Sequence, residues 1–244
     1  MAFVFIVTLC SIFIGLSKGG MGAMLVILTT PLLTLVMPAA DAVSIVLPML
    51  LIADVFALWA YWKTWDMHYV RLLLPLTIFG IVAGTYFLAT LDDNTLRRLL
   101  GLFTLGFVVY RVASDRLRSL EYRPRNWHGY LAGAASGFGS ALANTGGPPF
   151  TAYMMLQDVS PRTFVGTTTL YFAIVNLIKL PGLVVAHLLD FSDLLQVAWA
   201  LPLIPAGVWL GRWMVNRMNK TAFERFMLVV LVFAGVLLLV LPSR

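Results

Sequence analysis

At 244 residues, with 60% in the hydrophobic set, 11% charged and a net charge of +6, the chain is too apolar for a soluble core to absorb. A soluble domain carries roughly 25% charged residues, so a mean hydropathy of +0.90 marks a polytopic membrane protein and excludes a water-soluble enzyme. The basic residues gather in a few loops, where they orient a chain in a bilayer; they imply no nucleic acid.

The first apolar stretch, 2–37, opens with Ala2 to Leu16, which has neither a basic leader nor a small-residue cleavage site and reads as a retained helix. The lone cysteine, Cys10, allows no internal disulfide and no thiolate metal site, so a small buried apolar role is expected. "SKGGMGAML", from Ser17 to Leu25, breaks the stretch near its middle. A spanning helix needs about 20 mainly apolar residues, and three follow, at 41–62, 70–90 and 95–113. A basic linker occupies 114–126. The second half, 127–244, has the same grammar: a stretch at 127–157 broken by "ANTGGPPF", then spans at 163–188, 194–216 and 222–241.

The two halves share one ungapped register. Gly19-Gly20 and Gly146-Gly147 lie 127 positions apart, as do "LPLTIFGIVAG" from Leu74 and "LPLIPAGVWLG" from Leu201. Asp66 and Asp193, and Arg98 and Arg225, hold the same offset. Small-residue spacing lets helices approach closely in any bundle, but a common register across the chain indicates duplication of a unit, 1–113 and 127–244. Loop charge sets its orientation. The linker, with Arg111, Arg116, Arg118, Arg123 and Arg125, and the basic loop from Arg212 to Arg225 are both expected inside. Both lie inside only if 127–157 enters and leaves by one face. One broken pair plus three spans is an odd number of crossings, so the expected fold is all-α, with two inverted repeats, each a broken (re-entrant or hairpin) helix pair plus three transmembrane helices.

Non-helical backbone at membrane depth survives only beside protein or a watery cavity. The breaks at Ser17, Lys18, Gly19, Gly20, Met21 and Gly22, and at Asn144, Thr145, Gly146, Gly147 and Pro148, are therefore the candidate binding site. A helix restarts after each, from about Met21 and Pro148, offering unpaired N–H groups and the positive end of a dipole. Ser17 and Asn144 are candidate caps or donors, and Lys18 adds a full charge where one is expensive. Two such tips facing each other would select a small anion. Asp54 and Lys179, with Asn176 one turn before Lys179, lie mid-span as a candidate ion pair or a site for a coupling proton or sodium ion. Asp41 suits a helix start. His68, His128 and His187 lack carboxylates at ligand spacing, and no phosphate loop, nucleophile elbow or zinc helix is present, so no metal, cofactor or catalysis is expected. Trp59, Trp62, Trp65, Trp127, Trp209 and Trp213 fall toward segment ends as an aromatic belt.

The broken first helix "GLSKGGMG", its counterpart "GAASGFGSALANTGGPPF", the repeated "LP-L---G---G" and the length resemble the TauE/SafE group, the sulfite exporter or 4-toluene sulfonate uptake permease family. The resemblance covers the whole chain and implies a multi-pass transporter of the bacterial inner membrane for sulfonate, sulfoacetate, sulfite or thiosulfate. The Asn144 to Pro149 run departs from the plainer glycine-rich run common there, which implies a pocket tuned to a different anion. An anion channel and a non-transporting membrane assembly subunit remain alternatives at this point. The partners expected are the anion and the lipid bilayer, with a coupling ion and a homo-oligomer both open. A cytoplasm negative by about 100 mV favours exit of a monovalent anion by about 2.3 kcal/mol, so import requires a co-transported cation.

Overall fold

The computed structural model describes residues 2–21, 24–117, 125–189 and 191–215, together with 228–229, 232–233, 235–236 and 239–240. Among these the protein is all α, and four helices are long and apolar enough to cross a membrane: Ala2–Gly19, Ala39–Ala60, Met67–Thr90 and Arg162–Val185. The basic linker falls largely, and the span expected at 222–241 mostly, outside the described residues.

The first stretch is a hairpin. Helix α1 (Ala2–Leu16) runs without interruption into a π-helical turn, Ser17–Met21, and α2 (Met24–Leu33) packs back on α1. Cys10 and Thr29, ten and nine residues either side of the tip, meet where the buried thiol donates to the Thr29 carbonyl at 3.6 Å. The break was expected to be non-helical. It stays helical but underwound, with an extra residue in a wider turn, because a π turn keeps most backbone groups paired inside an apolar surround while still opening the ladder. The helix restart expected from about Met21 falls next to residues outside the described ones, and α2 is described from Met24.

Three long helices follow. Helix α3 (Ala39–Ala60) carries Asp41 in its first turn. Helix α4 (Met67–Thr90) is capped by Asp66, whose carboxylate accepts the His68 N–H at 2.8 Å. Helix α5 (Asp93–Leu117) has its charges in its end turns, and its start is held by Asp92, which accepts from the Thr95 hydroxyl at 2.7 Å and the Thr95 N–H at 3.0 Å. Those bonds hold the Asp92 carboxyl below its ordinary range.

In the second half, α6 (Asn126–Ala143) and α7 (Gly147–Met154) form the other hairpin. The chain doubles back tightly enough for the Ser136 hydroxyl to donate to the Gly146 carbonyl at 2.7 Å. At 1.5 Å per residue, α6 spans about 27 Å and α7 only about 12 Å, so the second arm stops short of crossing a hydrocarbon core of about 30 Å. Helix α8 (Pro161–Val185) begins at Ser160, which caps Thr163 N–H.

One expected span is divided. Residues 194–216 form two helices, α9 (Phe191–Ala198) and α10 (Leu203–Val215), with a turn between them. The equivalent stretch of the first half tolerates its single Pro75 inside α4. Here Pro202 is followed by Pro205, and two missing N–H donors within one turn end the α ladder. Tighter bonds replace it: Ala200 N–H to Val197 O at 2.9 Å, Leu203 N–H to Ala200 O at 3.0 Å and Ile204 N–H to Leu201 O at 3.1 Å.

The halves interlock instead of packing side by side. Helix α4 lies along α6, and α10 along α1, so each hairpin's long arm is embraced by a helix of the other half. Glycine permits the contact. A Cβ on Gly80 would stand 2.2 Å from the Ala134 carbonyl oxygen of α6, and one on Gly207 would stand 3.0 Å from the Gly15 Cα of α1. Exposed Trp59, Trp62, Trp127, Trp209 and Trp213 lie on the outer surface.

Candidate functional site

The two hairpin tips converge. Ser17 and Lys18 from the π turn, and Asn144 and Gly147 from the α6–α7 tip, line one cavity of about 180 Å³. Helix α8 closes it with Thr168, Thr169, Phe172 and Asn176, while Val26 and Ile27 of α2, Leu50 of α3 and Phe164 of α8 supply apolar wall. Three separate hydrophobic clusters supply wall residues, Leu50 from one, Phe172 from another and Ile27 from a third.

Charge is held on one side of this space. Lys18 forms an ion pair with Asp54 of α3, and Asn176 donates its amide to the other carboxylate oxygen at 2.7 Å. Asp54 is 2% exposed, and its only room is between these two donors. The expected Asp54–Lys179 ion pair is not formed. Asp54 is bonded to Lys18, and Lys179 points to the second hairpin, donating to Asn144 Oδ1 at 2.7 Å and to the Ser140 carbonyl at 2.8 Å. Side-chain reach decides this: a lysine one turn along α8 from Asn176 sits at the height of the other tip.

Asn144 lines the cavity with its amide hydrogens already engaged inside the protein. It ends α6 in the left-handed region, at φ 54° and ψ 26°, which asparagine tolerates better than any branched residue. Its amide nitrogen spends both hydrogens inside the protein, on the Thr30 hydroxyl at 3.2 Å and the Val43 carbonyl at 3.0 Å. The side chain therefore pins the second tip to α2, α3 and α8 at once. It is a C-cap for α6, whereas α7 takes Gly146 as its N-cap with no side-chain help.

Other expected site residues divide between two faces. Thr145 and Pro148 line a separate, mostly apolar cavity of about 600 Å³ against Leu99, Phe103 and Phe107 of α5. Thr145 is further committed to Gly139, whose carbonyl takes both its N–H at 2.9 Å and its hydroxyl at 3.2 Å. Gly146 packs under Ser136 and Ser140. Pro148 and Pro149 carry no N–H, so the first turn of α7 offers fewer donors than the 146–150 run suggested. Gly19 and Gly20 complete the π turn beside α10, the side chain of Met21 is not described, and Gly22 lies outside the described residues.

Four polar wall residues had not been singled out: Ser140, Thr151, Thr168 and Thr169. A signal for them was present in the run Thr167-Thr168-Thr169 within an otherwise apolar span, and in Ser136 and Ser140 one turn apart on a small-residue helix. Hydroxyls in such places need a partner inside the protein or a wet cavity.

Comparison with curated proteins and with solved structures returns no match. A family model, that of the sulfite exporter TauE/SafE, matches residues 7–238, which takes in both hairpins and every helix around the cavity. This chain belongs to the sulfite exporter TauE/SafE family of membrane transporters.

Proposed function

We propose that this multi-pass transporter moves a small sulfur oxyanion, of the sulfonate, sulfoacetate, sulfite or thiosulfate type, by alternating access around the cavity between the two hairpin tips. The observation that carries the reading is the Lys18 ammonium on the wall of one cavity that both hairpin tips line. Its ion-pair partner Asp54 does not line that cavity, so an anion there meets a cation and hydroxyl donors and no carboxylate. A full charge carried at this depth is expensive and marks a functional place. Size agrees, since about 180 Å³ lies below the roughly 300–1,000 Å³ of sites for drug-sized ligands.

The direct ligands are Lys18, the Ser17 and Thr168 and Thr169 hydroxyls and the Gly147 end of α7, all on the cavity wall. Lys179 acts from behind it, through Asn144. Two inverted repeats, 1–113 and 127–244, in the bacterial inner membrane give the cavity its moving parts. The reciprocal pairing of α4 with α6 and α10 with α1 supports that division. The test is counterflow in liposomes: labelled methanesulfonate or sulfite should accumulate transiently against unlabelled anion inside. Ohmic current without saturable exchange would point to a channel and overturn the reading.

A further inference from the structure

Asp54 stands behind Lys18. Lys18 reaches the cavity wall with its side chain 14% exposed, whereas Asp54 is 3% exposed and does not line the cavity. An anion arriving in the cavity and the Asp54 carboxylate are thus rivals for one ammonium. When Lys18 turns to the anion, Asp54 keeps the neutral amide of Asn176 as its bonded partner, with Lys179 near but committed to Asn144 and Ser140. A buried carboxylate without its cation costs several kcal/mol, and taking up a proton removes that cost.

We propose that Asp54 is a proton-binding site filled when the anion takes Lys18, so that the protein carries one anion and one proton together. The inference rests on the reading of the cavity as an anion site. On the loading side the Lys18–Asp54 hydrogen bond is replaced by a bond from Lys18 to a sulfonate oxygen, and a proton from water adds to Asp54 Oδ1. On the far side the anion leaves, Lys18 returns to Oδ1, and the proton passes to water. A monovalent anion then crosses with no net charge, and a negative cytoplasm no longer opposes its entry.

Few other groups can compete for that proton. Of the elements against α3, the π turn brings Lys18 and α8 brings Lys179, which is engaged by Asn144 and Ser140. Helices α1 and α2 carry no charged residue. Helix α5 meets α3 at its far end, where Asp93 accepts the Ala39 N–H at 2.6 Å and pairs with Arg97 at 3.9 Å, and the histidine of α6, His128, sits in its first turn. The side chains of Arg212 on α10 and Asp193 on α9 are not described.

The test uses the full chain in liposomes with methanesulfonate, whose charge does not change over the working pH range. With the potential clamped at zero, an interior one pH unit more alkaline should drive about tenfold accumulation, the factor that one coupled proton supplies, and a potassium diffusion potential alone should drive none. Asp54→Asn should abolish the response to the pH gradient and make uptake follow the potential, and Asp54→Glu should restore the wild-type pattern. Wild-type uptake that ignores the pH gradient and follows the potential overturns the proton site, as does Asp54→Asn with an intact pH response. If counterflow persists in that case, the anion site stands and only the proton site falls. Absence of wild-type counterflow removes both.

Discussion

Asn176 and Lys179, one turn apart on α8, hold opposite hairpins. Asn176 grips Asp54, and through it Lys18 of the first tip, while Lys179 grips Asn144 of the second, both bonds being 2.7 Å long. Two short hydrogen bonds from one face of one helix therefore decide where both tips sit. A shift of α8 by even part of a turn cannot leave both in place.

The Lys18–Asp54 pair gives the first expectation. Lys18→Ala leaves a buried carboxylate without its cation, and breaking one side of such a pair costs about 3–5 kcal/mol. The double variant Lys18→Ala with Asp54→Ala should recover most of that stability in thermal unfolding. It should still bind no anion, because the cavity has lost its wall cation. Recovery of transport in the double variant would remove Lys18 from the site.

Lys179 should behave differently. It is fully buried and its partners are an amide and a carbonyl, with no carboxylate bonded to it. Lys179→Met fills the same volume but leaves Asn144 Oδ1 and the Ser140 carbonyl without their donor, so stability should fall by about 1–3 kcal/mol. Anion affinity should fall at least tenfold as the Asn144 tip loses its anchor. Isothermal titration with methanesulfonate, alongside thermal unfolding, separates the two effects.

Helix packing supplies a third. Gly80→Ala must push α4 off α6, since its Cβ would lie 2.2 Å from Ala134 O and 2.8 Å from Phe138 N. Overpacking of this kind costs about 1–3 kcal/mol. Gly106→Ala on α5 meets nothing within 4 Å and should be neutral or gain about 0.5–1 kcal/mol from the better helix former. Paired melting curves of the two variants in one detergent check the contrast.

Much of the architecture was legible from local rules. Apolar run length marks the helices, and the glycine pairs mark where the runs reverse. Partner choice was harder to read. Asp54 and Lys179 attract each other on paper because both lie mid-span, yet which cation reaches the carboxylate depends on how far the Lys18 tip projects into the bundle, a tertiary distance with no trace in spacing. The Asn144 side chain looked like a donor for a ligand. Its left-handed backbone aims it back at Thr30 and Val43 instead. The divided α9–α10 stretch was readable in principle, since Pro205 has no counterpart in the first half, where Ile78 stands at the matching position.

The embrace of α1 by α10 bears on biogenesis. The Gly15 and Gly207 backbones touch, so the groove on α1 stays unfilled until α10 has been synthesised. Lipid must occupy it in the meantime. Arrival of α10, more than insertion of α1 itself, is then the moment at which the first hairpin gains its packed outer side, and a chain stalled before α10 would present an open glycine face for a chaperone or protease to recognise.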